Sequence, residues 1–155
     1  MAINARNVCR PECILACAAL VLALTAGAAA ADDAGLEPQL RDAHLPPVAA
    51  VAIRRSGATS PASSEPAAQC RRFRLGTRDI RAYLGKAAEV TEHDYLHLLD
   101  WSPCETSGTV TFKNGMTGTW TIQQYRAGSL RLGDGRIVYL YCPRCRAKAF
   151  AAPDH

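Results

Sequence analysis

Cysteine is the residue type in this chain with the clearest capacity for chemistry. Seven are present, at positions 9, 13, 17, 70, 104, 142 and 145. Cys142 and Cys145 form a C-x-x-C pair, a spacing found both in thiol–disulfide exchange proteins and in zinc sites. Which of these uses is available depends on the compartment, because disulfides persist in oxidising surroundings and thiols in reducing ones.

The first 31 residues have the pattern of a secretory signal peptide. Arg6 and Arg10 give a basic start, residues 14–30 form an apolar run, and Ala30 and Ala31 offer small residues for cleavage. The run is alanine-rich, shorter than the roughly 20 strongly apolar residues of a spanning helix, and no basic stop-transfer cluster follows it. We therefore predict cleavage after Ala30 or Ala31 and export to the periplasm or the extracellular space. No stable membrane span would remain, and a retained N-terminal anchor is the alternative.

Cleavage there would leave an even set of four cysteines, Cys70, Cys104, Cys142 and Cys145. An even number in a small exported domain predicts two disulfides. Antiparallel pairing of the first and last strands favours Cys70–Cys142 with Cys104–Cys145, whereas the local alternative is Cys70–Cys104 with Cys142–Cys145. Each bridge is expected to contribute about 2–4 kcal/mol to stability.

The same four cysteines have two alternative uses. In the first, the C-x-x-C at 142–145 performs thiol–disulfide redox chemistry. The reactive form of this motif needs a helix after the strand, and residues 146–155 favour no helix longer than one turn. In the second use, zinc is bound, and its ligands are Cys70, Cys104, Cys142 and Cys145. Structural zinc sites usually bring two closely spaced cysteine pairs, and only one pair is close in this sequence.

No other group of residues in the sequence predicts catalysis or cofactor binding. His93 and His97 are four positions apart, and the only acidic candidates for a third metal ligand are Glu92, Asp94 and Asp100. We interpret them as partly exposed histidines beside a sheet. The sequence contains neither a Ser-His-Asp spacing nor a glycine-rich phosphate loop. We therefore name no catalytic residue and expect no cofactor and no enzymatic activity.

The charge pattern argues against nucleic acid as a partner. The formal net charge of +4 falls to +3 when the signal peptide takes two arginines and one glutamate with it. A nucleic-acid-binding domain clusters basic residues with aromatic ones between them. Only residues 71–74, with the sequence Arg-Arg-Phe-Arg, approach that pattern, and they are equally typical of a strand with Phe73 facing inward.

Composition divides the mature chain into three parts. Residues 32–69 are rich in proline, alanine and serine and contain no aromatic residue, which predicts a disordered linker. Residues 48–53 are its one apolar island, able to dock as an edge strand. Residues 70–146 contain nearly all the aromatic residues and form the predicted folded domain. Residues 147–155 are predicted to be a loose C-terminal tail.

The folded domain begins with one predicted strand and one predicted helix. Cys70, Phe73 and Leu75 suggest a short first strand. Apolar residues then recur at helical spacing from Ile80 to Ala88, which predicts an amphipathic helix capped by Thr77.

The remainder of the domain reads as strands joined by tight turns. Asn114-Gly115 and Asp134-Gly135 predict hairpins, and residues 137–141 predict an apolar final strand. Residues 92–101 are ambiguous: we favour a strand, although Thr91 could cap a short helix. The expected fold is α+β, a small antiparallel meander of four to six strands with one packed helix.

These features together resemble those of small exported bacterial proteins. The first functional hypothesis is a non-enzymatic binding or interaction module, stabilised by disulfides, whose partner is a protein or a component of the cell envelope. The alternative is a thiol–disulfide redox or metal-binding protein that uses the C-x-x-C at 142–145. The aromatic side chains are the remaining candidates for a binding surface, although most are needed for the core of so small a domain.

Overall fold

A computed structural model describes residues 37–152 of the chain. The predicted signal peptide with its cleavage residues Ala30 and Ala31, and residues 32–36 and 153–155, lie outside the described part. In chain order the elements are β1 (Arg41–Asp42), β2 (Val48–Thr59), a 3₁₀ helix (Ala67–Arg72), α1 (Thr77–Leu84), β3 (Ala88–Val90), α2 (Glu92–His97), β4 (Cys104–Phe112), β5 (Thr117–Gln123), β6 (Ala127–Leu132) and β7 (Ile137–Tyr141).

The strands form one antiparallel sheet in the order β1-β3-β7-β6-β5-β4-β2. Its centre is the predicted meander from β4 to β7. The predicted hairpin turns are present, with Gly115 and Gly135 at φ angles of 84° and 90° that favour glycine. The α+β prediction is confirmed, and the sheet has seven strands rather than four to six because β1 and β2 precede the predicted domain.

One face of the sheet builds the core. Alternate residues of the central strands point to it, among them Trp120, Leu130 and Leu140, all almost completely buried. Helix α1 covers this face with Ile80 and Tyr83, as its apolar spacing predicts. Gly128 lets the helix approach closely, since an added Cβ would lie 2.7 Å from the Tyr83 hydroxyl.

Tyr83 fastens α1 to the end of the sheet. Its hydroxyl donates to the Arg126 carbonyl at 2.9 Å, with the Leu140 carbonyl 3.3 Å away. Burial raises the pKa of this phenol well above its ordinary value, so the hydroxyl stays a donor across the ordinary pH range.

The described part of the predicted disordered linker is ordered. Residues 48–59 form the long edge strand β2, which pairs with β4 along its length. The guanidinium of Arg81 in α1 donates to the carbonyls of Val48 at 3.0 Å and Ala49 at 2.8 Å. These backbone hydrogen bonds order a segment whose composition alone predicts disorder. The folded domain therefore begins before Cys70.

Three local predictions need correction. The segment around Cys70 and Phe73 is a 3₁₀ helix rather than a strand. Residues 92–97 form helix α2 rather than the favoured strand, because the Thr91 hydroxyl accepts from the Asp94 amide at 3.0 Å and caps the helix. Helix α1 has Gly76 rather than the predicted Thr77 at its N-cap, and it ends at Leu84, earlier than predicted.

The predicted loose tail is docked over residues 147–152. Phe150 is only 9% exposed, and its ring centroid lies 6.1 Å from those of Phe73 and Tyr83. Arg126 donates from Nη1 to the Ala151 carbonyl at 2.9 Å. The buried Phe150 ring and this hydrogen bond order the segment, which its alanine-rich composition does not predict.

Candidate functional site

The four cysteines form two disulfides, Cys70–Cys104 and Cys142–Cys145. This is the local pairing, and the favoured long-range pairing is wrong. The 3₁₀ helix that holds Cys70 packs beside β2 and the start of β4, so its nearest cysteine is Cys104, with a Cα–Cα distance of 4.9 Å. An oxidised domain of this kind is compatible with export.

The surroundings of the Cys142–Cys145 disulfide give little support to the redox alternative. Cys142 and Cys145 are 1% and 6% exposed. The Cys145 amide donates to the Cys142 carbonyl at 3.1 Å, so the pair closes a turn. In the described part of the chain, no helix follows this turn. A reactive C-x-x-C normally has a helix that lowers the pKa of its thiol, and a sulfur that is accessible to its partner.

The four cysteines of the zinc alternative all lie among the residues that the structure describes, and they are not available as ligands. All four sulfurs are occupied in disulfides. His93 and His97 do share a face of α2, with ring centroids 4.8 Å apart, and both are exposed. Within residues 37–152, no group of three cysteine, histidine or acidic residues is placed to hold a metal ion.

A closed polar cluster lies where α2 covers the other face of the sheet. Tyr95 stacks against Tyr139 with ring centroids 4.8 Å apart, and its hydroxyl accepts from the side-chain Nε2 of Gln123 at 3.4 Å. Burial raises the pKa of Tyr95 to about 12. Burial also raises the pKa of Glu105, partly opposed by Arg55, whose guanidinium lies 3.5 Å from the carboxylate. These groups hold α2 and β2 to the sheet.

Two open clefts lie at the end of the sheet where β5 turns into β6. The first, the leucine cleft, has a volume of about 360 Å³. Leu40 at its rim is 50% exposed. The lining combines apolar residues with charged ones: Glu37, Pro38, Leu40, Leu98, Leu99, Asp100, Tyr125, Arg126, Tyr141 and Pro143.

The second, the tryptophan cleft, has a volume of about 510 Å³ and shares Tyr125 with the first. Trp101 at its rim is 50% exposed, whereas Trp120 in the core is 0% exposed. The lining has more polar groups than that of the leucine cleft: Glu65, Gln69, Trp101, Ser102, Pro103, Cys104, Gln124, Tyr125, Ala151 and Ala152.

Four separate segments are bonded together to build the tryptophan cleft. Ser102 is central: its hydroxyl accepts from the Cys104 amide at 3.2 Å and donates to the Gln124 side-chain oxygen at 3.4 Å. The Gln124 amide donates to the Cys104 carbonyl at 3.1 Å, and the Ala151 amide donates to the Gln124 carbonyl at 3.2 Å. The disulfide to Cys70 adds the segment that carries Gln69.

Arg126 fixes the boundary between the two clefts. It has a φ angle of 70°, which is unusual for a side chain larger than glycine. Its Nε donates to the Cys145 carbonyl at 3.2 Å, and its guanidinium lies 5.7 Å from the centre of the Phe150 ring. These contacts offset the conformational cost of the left-handed backbone, of order 1–3 kcal/mol, and hold the C-terminal segment as one wall of the tryptophan cleft.

The sequence singles out the four cysteines and the aromatic residues but not the clefts. The sequence indicates Trp101 and Tyr125 only as two of several aromatic candidates for a binding surface. No motif or periodicity in the sequence indicates that Gln69 and Gln124 lie beside them. Among the described residues, no helix is long and apolar enough to cross a membrane. No protein-family model, curated protein or solved structure shows significant similarity to this chain.

Proposed function

We propose that the protein is an exported, disulfide-stabilised module that binds a protein or a component of the cell envelope and catalyses no reaction. One observation carries the proposal: two clefts meet at Tyr125, and each has a half-exposed apolar side chain, Leu40 or Trp101, at its rim. Concave sites with apolar walls and a few placed polar groups are the usual form of binding sites.

The fold supports this proposal because it holds the clefts rigidly. The disulfide Cys70–Cys104 and the hydrogen bonds of Ser102 fix one wall, and Arg126 fixes another. A surface that is already in its bound shape loses little conformational entropy on binding. The redox alternative would instead require an accessible thiol, and the sulfurs of Cys142 and Cys145 are buried.

The first test concerns export and oxidation. The native protein is purified from the cells that produce it and alkylated with and without reductant, and its intact mass is measured by mass spectrometry. We expect a chain that starts at Ala31 or Asp32 and takes up alkyl groups only after reduction. A chain that retains residues 1–31, with all seven cysteines reduced, would contradict export. If four of those thiols were alkylated only after a metal chelator is added, the zinc hypothesis would be restored.

The second test concerns the binding surface. A photoreactive phenylalanine analogue replaces Leu40 or Trp101 in the full chain, and cells are irradiated before purification. A matched control carries the same analogue at Ile137, which is 37% exposed and lines neither cleft. We expect a discrete cross-linked species at the two cleft positions and none at Ile137. Equal cross-linking at all three positions, or none at any, would contradict the proposal.

A further inference from the structure

We infer that the tryptophan cleft binds a sugar ring that carries an N-acetyl group, as part of a glycan. The inference rests on the proposed function and adds the chemical class of the ligand. It depends on the exposed aromatic side chain of the cleft, the polar side chains that line the same cleft, the charge of the lining and its rigidity.

Trp101 presents an exposed aromatic surface at the tryptophan cleft. Its side chain is 50% exposed at the rim, and Tyr125 is half-buried in the same lining. The face of an aromatic ring is electron-rich, and the C–H groups on one side of a pyranose ring carry partial positive charge, so the two surfaces attract. Burying such a face against Trp101 would also remove apolar area from water.

The polar side chains of the lining have both donors and acceptors to offer. Gln124 uses its side-chain oxygen to accept from Ser102, which leaves its Nε2 amide group able to donate to a ligand carbonyl. Gln69 donates through Nε2 to Glu65 at 3.4 Å, which leaves its oxygen and the second Glu65 oxygen able to accept. An acetamido group has a carbonyl that can accept from the Gln124 side chain. Its N–H and the ring hydroxyls can donate to the Gln69 and Glu65 oxygens, so an N-acetylated sugar matches both the donor and the acceptors of the lining.

The charge of the lining selects against anionic ligands. Glu65 is the one acidic or basic residue among the groups that line the tryptophan cleft. Its carboxylate would repel a phosphate, a sulfate or a uronic acid, so a nucleotide or an acidic polysaccharide does not fit. A neutral sugar avoids this repulsion, and the cleft volume of about 510 Å³ lies within the roughly 300–1,000 Å³ of small-ligand sites.

The walls of the tryptophan cleft are set before a ligand arrives. Ser102 next to Trp101 is completely buried, and its amide and hydroxyl are both hydrogen-bonded. The Pro103 carbonyl accepts from the Ser60 amide at 2.7 Å, which ties the same loop to the segment after β2. Sugars bind weakly when a site must first be ordered, so this rigidity favours recognition of a polar ligand.

The test is calorimetric titration of the purified mature protein with tri-N-acetylchitotriose, the trimer of N-acetylglucosamine (called chitotriose below), and with maltotriose as a sugar of the same length without acetamido groups. We expect saturable binding of chitotriose and much weaker binding of maltotriose. Trp101→Ala should weaken the binding of chitotriose about tenfold, and Gln124→Ala should weaken it about threefold. Ile137→Ala, at an exposed position that lines neither cleft, should leave it unchanged.

Two outcomes would overturn the inference. One is the absence of saturable binding to chitotriose by the folded protein, and the other is binding that Trp101→Ala leaves unchanged. Maltotriose binding as tight as that of chitotriose would overturn the requirement for the N-acetyl group. If chitotriose does not bind but cross-linking at Leu40 and Trp101 is observed, the proposed ligand class is wrong and the proposed binding function is retained. If both fail, the proposed function fails too.

Discussion

The two disulfides lie in regions that are held together in different ways. Cys70–Cys104 spans 34 positions and joins the 3₁₀ helix to the start of β4. Cys142–Cys145 spans three positions and closes the turn after β7. Around the second bridge, the Arg126 side chain and the buried Phe150 ring also tie the turn to the sheet.

The difference in loop length predicts that the two disulfides contribute unequally to the stability of the domain. In the chain-entropy model, a cross-link stabilises the fold by restricting the unfolded chain, and its effect grows with the length of the loop that it closes. The long loop of Cys70–Cys104 contains α1, β3 and α2. That bridge therefore constrains a large part of the unfolded domain, whereas Cys142–Cys145 constrains one turn.

The largest expected effect follows from removing the long-range bridge. Replacing Cys70 and Cys104 together by serine should lower the free energy of unfolding by about 4 kcal/mol, because the closed loop is long. Denaturation in urea at neutral pH measures this. The variant should also bind chitotriose less tightly, since Cys104 lines the tryptophan cleft. A loss below about 1 kcal/mol would show that the hydrogen bonds of this region suffice without the disulfide.

A smaller loss is expected from the short bridge. The double substitution of Cys142 and Cys145 by serine should lower the free energy of unfolding by about 2 kcal/mol, which is roughly half the effect at Cys70 and Cys104. The same urea denaturation, run beside the first variant, gives the ratio directly. If the two variants lose equal stability, loop length does not determine the contributions, and packing of the sulfurs would be the better account.

The smallest effect concerns the ion pair next to Cys104. Burial raises the pKa of Glu105, so its ionised form is disfavoured in the folded state. The stability that this group contributes is complete below its unfolded pKa, near 4.3, and is lost as pH rises through its folded pKa. Glu105→Gln, which keeps the shape but not the charge, should therefore gain stability relative to the parent at pH 7, with a smaller difference at pH 4.

The comparison of unfolding free energies at the two pH values decides the role of the ion pair. A variant less stable than the parent at pH 7 would mean that the Arg55 guanidinium, 3.5 Å from Glu105, outweighs the cost of burying the carboxylate. In that case the stability of the region around Cys70–Cys104 would depend on this ion pair as well as on the disulfide.

The central fold was predictable because its signals are local. The turns at Asn114-Gly115 and Asp134-Gly135 and the alternation of β4 to β7 carry their own pattern, so the antiparallel sheet and α1 follow from sequence. Strand β2 does not, because its order comes from pairing with β4 and from Arg81, both distant along the chain. Docking of Phe150 depends on distant partners in the same way.

The candidate site was less predictable than the fold. Sequence identified the cysteines as a disulfide set, but their pairing depended on whether Cys70 lies in a strand or in a 3₁₀ helix, and the pattern around Phe73 suits either. The clefts bring Gln69, Trp101 and Gln124 together from three segments. No periodicity or motif joins such positions, so only the tertiary structure brings out the site.

The edges of the sheet have a consequence for how the protein behaves at high concentration. Strand β2 has three register shifts against β4, its first carbonyls are occupied by Arg81, and strand β1 at the opposite edge has only two residues. Short, bulged or covered edges are poor templates for pairing with another chain. We therefore expect the edges of this seven-stranded sheet to pair poorly with the sheet of a second molecule, which would disfavour aggregation through edge strands.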